Sequence, residues 1–121
     1  MSAGTVDSQR TTPDATASLF ESLARTGHAP LLEGAHGTLL FELGDDPPSR
    51  WTVAVDGGDV VVTRAKSRAD CTVRADKKLF DDIASGDANA TAAVLRGAVS
   101  VEGDPELFTL FQRLFPSPRP R

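Results

Sequence analysis

The sequence predicts a single α+β domain, in which helices pack on one face of a five-stranded sheet of mixed or antiparallel strands. Three observations lead to this prediction. The chain has 121 residues, which is enough for one core and too few for two independent ones. Apolar residues recur at helical spacing near both ends and with a period of two through the middle. Short turn signals separate the segments of period two, which favours pairing between consecutive strands.

The first helix is predicted to begin at 12–14, where Thr-Pro-Asp supplies a capping hydroxyl, a proline and an acid. Apolar residues within 19–24 then follow helical spacing. Gly27 or Pro30 ends the helix, because neither residue continues it readily.

Alternating apolar residues predict strands over 38–43, 51–55 and 60–64. The Asp-Gly-Gly-Asp of 56–59 is a hairpin signal, because glycine accepts the positive φ of tight turns. These three strands therefore form an antiparallel meander, and 71–74 forms a fourth short strand. With the fifth strand described below, the residues expected to face the core are Leu39, Phe41, Trp51, Val53, Val55, Val99 and Val101.

Two helices and a fifth strand are predicted after the fourth strand. Asp76 caps the first of these helices, which ends at Gly86. Residues 88–96 form a helix of small residues whose apolar side is expected to include Ala92 and Leu95. Residues 98–102 then form the last strand of the sheet.

The closing helix is the most unusual segment of the chain. Its start at 104–106, Asp-Pro-Glu, supplies a cap, a proline and an acid, and it runs to about Phe115. The helix holds half of the six phenylalanines, and its apolar face is wider than docking one surface helix requires. It therefore either anchors the fold or lines a cavity for an apolar ligand.

Charge and cysteine content exclude several classes of protein. The net charge of −4 argues against nucleic-acid binding, which depends on many cations that neutralise phosphates. The single cysteine, Cys71, excludes an internal disulfide and a cysteine-built metal site, as suits the cytoplasm. No apolar run has the length of a signal peptide or a membrane span. We expect one cytoplasmic domain over 12–115, with a flexible N-terminus (1–11) and a flexible tail (116–121).

The sequence contains no catalytic motif and predicts no catalytic residue, metal site or cofactor. His28 and His36 are interpreted as surface or capping residues. The acidic pairs at 45–46 and 81–82 are explained by a turn and by a solvated helix face. Cys71 alternates inward and is interpreted as a small core residue rather than a nucleophile.

Six of the thirteen basic residues fall within fifteen positions of this acidic chain. They are Arg64, Lys66, Arg68, Arg74, Lys77 and Lys78. Such a cluster is either a solvated edge, which discourages aggregation between strands, or a rim that faces an anion. The second interpretation predicts contact with phospholipid head groups, and so transient membrane-surface contact, or with the phosphates of an acyl-CoA.

Five segments together resemble a known family. They are 37–43 (GTLLFEL), 51–60 (WTVAVDGGDV), 69–73 (ADCTV), 79–86 (LFDDIASG) and 97–104 (GAVSVEGD). Over about Leu19 to Phe115, the chain resembles a stand-alone bacterial member of the sterol carrier protein type 2 family. The last segment, a short strand between glycines followed by Asp and an apolar helix, is the most specific.

The resemblance implies a mixed five-stranded sheet, helices on one face, and a hydrophobic cavity between the layers. Family members bind sterols, fatty acids, acyl-CoA or phospholipid without dedicated catalytic residues. The residues implied to line the cavity are Leu19, Leu23, Phe41, Trp51, Val53, Phe80, Ile83, Phe108, Phe111 and Phe115. Arg64, Lys66 and Arg68 are candidate contacts for an anionic head group. The end of the chain lacks the Ser-Lys-Leu-type peroxisomal signal of eukaryotic relatives, which puts sterol in doubt as the ligand.

Three functions remain open from the sequence. The first is a non-enzymatic carrier of a hydrophobic or amphipathic small molecule. The second is an enzyme or accessory protein of specialised metabolism that holds a hydrophobic intermediate in the same cavity, with His28, His36 or Asp76 as candidate acid–base groups. The third is a structural or dimer module that uses the apolar face of the closing helix, and the oligomeric state is left open.

Overall fold

The computed structural model describes residues 14–44, 48–65 and 67–115. In this part of the chain the elements follow one another in the predicted order, which confirms the α+β architecture. The helices are α1 (Ala15–Thr26), α2 (Lys77–Ser85), α3 (Ala90–Leu95) and α4 (Pro105–Phe111). The strands are β1 (His36–Leu43), β2 (Ser49–Asp56), β3 (Asp59–Thr63), β4 (Cys71–Ala75) and β5 (Val99–Gly103). Short 3-10 turns precede β1 (Pro30–Leu32) and follow α4 (Gln112–Leu114). Several predictions concern residues outside the described ones: the segments 1–11 and 116–121, the helix start at Thr12 and Pro13, the acidic pair at 45–46, and Lys66.

The sheet has the strand order β3-β2-β1-β4-β5, with β1 in the middle. β1, β2 and β3 form the predicted antiparallel meander, and both glycines of the hairpin turn, Gly57 and Gly58, have positive φ. β4 lies on the other side of β1 and pairs with it in parallel, with Leu39 opposite Cys71. β5 is antiparallel to β4. The sheet is therefore mixed. The connection from β3 to β4 passes β2 and β1, so β4 lies beside β1 rather than beside β3.

One face of the sheet packs against the helices and forms the core with them. The opposite face carries mainly polar and charged side chains, together with Leu40 and Val61. There Glu42 forms ion pairs with Arg50 at 3.1 Å and with Arg74 at 3.0 Å, so that three neighbouring strands are joined. On the same face, the Thr52 hydroxyl donates to the carbonyl oxygen of Ala65 at 2.6 Å.

The start of α1 differs from the prediction. Asp14 is the N-cap residue rather than part of the first turn, since its backbone is extended and its carboxylate accepts from the Ala17 N–H at 2.9 Å. The helix ends at Gly27, where a left-handed backbone lets the Gly27 N–H donate to the Leu23 carbonyl oxygen at 2.8 Å. Asp104 and Pro105 begin α4 as predicted, and the Asp104 carboxylate accepts from the Glu106 N–H.

The predicted apolar side of α3 is wrong. Ala90 and Ala93 face the core, whereas Leu95 is 82% exposed and Ala92 is exposed. This helix has only six residues, and its buried side consists of two positions three residues apart, Ala90 and Ala93.

The glycine that closes β5 has a packing reason. Gly103 has a φ of +93°, and a Cβ at this position would overlap the carbonyl oxygen of Asp70. The same oxygen accepts a hydrogen bond from the Asp104 N–H at 2.8 Å. Residue 103 must therefore be glycine for the chain to pass beside Asp70 and enter α4.

Candidate functional site

The space between the sheet and the helices is filled by a cluster of aromatic rings. We call these residues the aromatic cluster: Phe20, Phe41, Trp51, Phe80, Phe108, Phe111 and Phe115. Phe20 on α1 lies at its centre, with ring centroids 4.9 Å from Trp51 and 5.1 Å from Phe41. Phe111 on α4 lies 5.0 Å from Phe41, so the rings join both helices to the middle of the sheet.

The aromatic cluster leaves no open space at its centre. Phe20, Phe41, Phe80 and Phe111 are 0% exposed, so no gap that admits water adjoins any of them. The resemblance implied a cavity between these layers, but around these four rings the described side chains leave no gap that admits water. A ligand can therefore enter this part of the core only if rings move.

One C-terminal segment supplies three of these rings. Residues 105–115, which we call the closing segment, comprise α4, the following 3-10 turn and Phe115. The Phe115 ring makes edge contacts with Phe80 and Phe111, both with centroids 5.6 Å away. Gln112 accepts a hydrogen bond from the Thr91 hydroxyl at 3.0 Å, which ties the segment to α3. Displacement of this one segment would expose the interior without breaking the sheet.

A small pocket lies beside the start of the closing segment. Its volume is about 220 Å³, and it lies between the entry to β1 and α4. It is lined by Gly34, Ala35, His36, Asp104, Glu106, Leu107 and Leu110. Pockets that enclose a small-molecule ligand measure about 300–1,000 Å³. This pocket alone is therefore too small for a lipid, although its apolar wall is formed by the same helix that closes the interior.

At the Trp51 end, the aromatic cluster reaches a basic side chain. The Arg64 guanidinium lies 4.0 Å from the centroid of the Trp51 ring, within the range of a cation–π contact. Arg64 Nε donates to the Arg50 carbonyl oxygen at 2.8 Å, which holds the side chain in place. Phe20, Trp51 and Arg64 thus form a continuous stack from the core to the surface.

The structure brings most of the predicted lining residues together in the core. Phe41, Trp51, Val53, Phe80, Ile83, Phe108 and Phe111 are buried, as is Leu23, and Leu19 and Phe115 are partly buried against them. The sequence interpretation missed Phe20, although this ring touches four others. Thr16, Phe20 and Leu23 are the buried residues of α1. These residues are four and three positions apart, which is helical spacing. This spacing in the sequence could have predicted that Phe20 lies in the middle of the buried side of α1.

The basic residues do not form one patch. Arg74 pairs with Glu42 and Glu102. Lys77 pairs with Asp81 on α2 and with Asp14 at the start of α1, and Lys78 pairs with Asp82 on α2. Arg64 lies over Trp51, Arg68 is exposed, and Lys66 lies outside the described residues. Of the two candidate head-group contacts that the structure describes, Arg64 is the one placed against the aromatic cluster.

The candidate acid–base residues lie at opposite ends of the sheet. His28 forms hydrogen bonds with Asp59 at 2.9 Å and Glu33 at 3.3 Å, and these raise the pKa of its imidazole. His36 lies at the first residue of β1, whereas Asp76 follows the end of β4 beside the last residue of β1. Strand geometry separates these two ends by about 23 Å. The histidines and Asp76 therefore do not converge on one site.

Cys71 is buried. Burial, together with the nearby charge of Asp104, raises the pKa of its thiol to about 11. The thiolate that would act as a nucleophile is therefore scarce at neutral pH. Among the residues that the structure describes, no group of three or more His, Cys, Asp or Glu side chains could hold a metal ion.

Comparison with known proteins gives a match over most of the chain. The model of the SCP-2 sterol transfer family matches residues 17–116. Comparison with curated protein sequences gives no match. Within the described ranges, none of the helices combines the length and apolar character needed to cross a bilayer.

Solved structures share the fold. The sterol carrier protein domain 2 of Helicoverpa armigera is 20% identical, with a TM-score of 0.66, and the match covers 84% of this chain and 90% of that one. Palmitated SCP2L2 from Aedes aegypti is 15% identical, with a TM-score of 0.59 and coverage of 82% and 96%. The sec-alkylsulfatase Pisa1 from Pseudomonas sp. is 25% identical, with a TM-score of 0.65, and the match covers 91% of this chain but 17% of the sulfatase.

Proposed function

Because the chain belongs to the SCP-2 sterol transfer family, we propose that it is a non-catalytic carrier of a hydrophobic or amphipathic small molecule. Fatty acids, acyl-CoAs and sterol-like lipids are the classes it would take. The observation that carries the proposal is the aromatic cluster, three of whose rings come from the one segment that closes the interior. The proposal places this activity in the cytoplasm.

The energetics of displacement are compatible with binding. Burial of a chain of about 15 methylenes contributes roughly 12 kcal/mol, at about 0.8 kcal/mol per group. Removing one Phe ring from the core costs about 3–5 kcal/mol. Association costs at least about 4 kcal/mol more. At most about 3–5 kcal/mol remain, which corresponds to a dissociation constant of roughly 0.2–6 mM before any polar contact is counted, so micromolar affinity depends on contacts of the ligand's polar end.

Arg64 and Arg68 are the described candidates for binding an anionic head group, and Lys66 joins them from outside the described residues. Arg64 lies at the edge of the aromatic cluster, where a chain buried among the rings would leave its polar end. The same side chains would meet anionic lipids if the protein loads at a membrane surface.

A second candidate is an accessory role in specialised metabolism, in which the protein holds a hydrophobic intermediate for an enzyme. The likeness to one portion of an alkylsulfatase favours it, because there the same fold is part of a larger enzyme. The separation of His28 and His36 from Asp76 argues against an acid–base pair that combines a histidine with Asp76. Genes for biosynthetic enzymes beside this one would favour the accessory role, and genes of lipid metabolism would favour the carrier.

Ligands retained after native purification, identified by mass spectrometry, test the proposal directly. Titration with hexadecanoate, hexadecanoyl-CoA, a sterol and a phospholipid would follow, using the emission of the single tryptophan and the thermal transition. Micromolar binding of at least one class, with a raised transition temperature, is expected. Neither retention nor binding of any class would overturn the carrier function.

Displacement of the closing segment can be tested by cross-linking. Thr91 and Gln112 bond across α3 and this segment, so a Thr91→Cys/Gln112→Cys variant joined by a short bifunctional thiol reagent would hold the segment in place. Cys71 would not compete, because it is buried and its thiol pKa is about 11. We expect the association rate of hexadecanoate to fall at least about tenfold, with the same variant before cross-linking as control. An unchanged rate would mean that the ligand enters elsewhere.

A further inference from the structure

The only tryptophan of the chain holds a buried donor without an acceptor. Trp51 is 5% exposed, and its indole Nε1 is buried with no hydrogen-bond partner among the described residues. Buried polar groups in native proteins are nearly always bonded, and leaving one without a partner is destabilising. A donor kept in this position therefore calls for an explanation.

The surroundings of Trp51 explain why the fold itself does not satisfy this donor. Phe20 stacks on one side of the indole, with centroids 4.9 Å apart and planes inclined by 18°. Arg64 lies 4.0 Å from the ring centroid, and a guanidinium donates hydrogen bonds but accepts none. The ring is thus held between a hydrocarbon and a donor, and rings are only weak acceptors for an N–H.

We propose that Trp51 Nε1–H donates to an acceptor oxygen of the bound ligand, so that the interior selects amphipathic chains over pure hydrocarbons. This inference rests on the proposed carrier function and narrows its ligand class. The ligand's apolar chain displaces rings of the aromatic cluster, and its oxygen lies at the Trp51 end.

A carboxylate is the acceptor that fits this end of the cluster. The Arg64 guanidinium already lies against the indole and is positioned by its bond to the Arg50 carbonyl oxygen at 2.8 Å. Its positive charge favours an anion beside the ring, and a hydrogen bond to a charged acceptor is stronger than one to a neutral acceptor. Trp51 and Arg64 together would therefore bind the carboxylate of a fatty acid.

The single tryptophan gives a direct readout. In ¹⁵N-labelled protein, the one indole N–H produces one cross-peak, which moves downfield when the proton enters a hydrogen bond. The probes are decanoate, decan-1-ol and n-decane, delivered from cyclodextrin, which share a chain and differ at its end. We expect decanoate to move the peak furthest downfield, decan-1-ol to move it less, and n-decane to leave it without a downfield shift.

The matched variant replaces Trp51 with benzothienylalanine, which keeps both rings and substitutes sulfur for the N–H. Affinity for decan-1-ol should fall by up to about tenfold, and affinity for decanoate by about 10- to 100-fold because its acceptor is charged, while affinity for n-decane stays unchanged. Trp51→Phe, made by ordinary mutagenesis, also removes the N–H. Its smaller ring lowers the affinity for all three probes, but the affinity for decanoate and decan-1-ol should fall by more than that for n-decane. Arg64→Gln should weaken decanoate alone.

The outcomes separate this inference from the function on which it rests. Equal loss for all three probes in the benzothienylalanine protein, or an equal peak shift with n-decane, would overturn the role of the N–H and leave the carrier function standing. An Arg64→Gln variant that binds decanoate as tightly as before would overturn the choice of carboxylate. Binding of none of the three probes would overturn this inference, and the carrier function would fall with it only if hexadecanoate, hexadecanoyl-CoA, the sterol and the phospholipid also failed to bind.

Discussion

Replacement of Phe111 by alanine should make the protein less stable and its ligand affinity higher. Phe111 is fully buried, with ring centroids 5.0 Å from Phe41, 5.6 Å from Phe115 and 6.2 Å from Phe20. Loss of such a ring lowers the free energy of unfolding by about 3–5 kcal/mol. A domain of this size has about 5–15 kcal/mol in total, so the variant remains folded only with a reduced margin.

The free energy lost from folding in Phe111→Ala should favour ligand binding. In the wild-type protein a ligand must displace packed rings, whereas in the variant part of this cost has already been met. If all of it reappeared as affinity, 3–5 kcal/mol would give about a hundred- to several-thousandfold tighter binding. Partial collapse of the cavity reduces this gain, and we expect about 10- to 100-fold.

The assay is urea unfolding with and without hexadecanoate, together with direct titration of the Trp51 emission. Ligand should raise the unfolding free energy of Phe111→Ala by more than that of the wild type, in proportion to the logarithm of its tighter dissociation constant. Leu43→Ala is the control, because Leu43 is 1% exposed and its loss also costs about 2–5 kcal/mol without removing a ring of the aromatic cluster. Equal affinity in Phe111→Ala and wild type, or an equal gain in Leu43→Ala, would refute displacement of the rings by ligand.

Three further predictions test the fold around the site. The two carboxylate partners of His28 raise the pKa of its imidazole above the ordinary 6.5. The folded state therefore gains their full stabilisation below pH 6.5 and loses it as the pH rises through the folded pKa. The urea midpoint of the wild type should exceed that of His28→Gln at about pH 5.5, and the difference should shrink by about pH 8.5. Gly103→Ala should lower the unfolding free energy by at least about 2 kcal/mol, because alanine is strained at positive φ and its Cβ overlaps Asp70, whereas Gly34→Ala has open space and should be nearly neutral in the same denaturation experiment. The Cys71 thiol should react with an aromatic disulfide reagent only as fast as the protein unfolds, and rapid reaction of the native protein at neutral pH would contradict its burial.

Local patterns account for the parts of the fold that the sequence predicted well. The glycines of 57–58 define a hairpin because their backbone conformation depends on residue type alone. Asp104 and Pro105 begin α4 because capping involves atoms two residues apart. The family resemblance adds the mixed sheet and the type of ligand, which no single element implies.

Predictions failed where an element's surroundings decide the outcome. The apolar residues of α3 include Leu95, yet the helix turns Ala90 and Ala93 to the core and leaves Leu95 82% exposed. The sequence placed six basic residues in one cluster, but in the structure Arg74 and Lys77 form ion pairs with carboxylates of distant segments and Lys78 pairs within its own helix. Phe20 was one apolar residue among several in α1 until its position against Trp51 and Phe41 was known.

By itself, the sequence determined one acidic α+β domain, the order of its helices and strands, and a closing segment with half of the phenylalanines, although the helix in this segment ends at Phe111 rather than near Phe115. Only the tertiary structure decided that β4 lies parallel beside β1, that aromatic rings pack together between the layers, and that Trp51 stands between Phe20 and Arg64 with no acceptor for its N–H among the described residues. The physical reason is the range of the interactions. Periodicity and capping act within a few residues, whereas strand pairing, packing and the partners of a buried polar atom come from segments far apart along the chain.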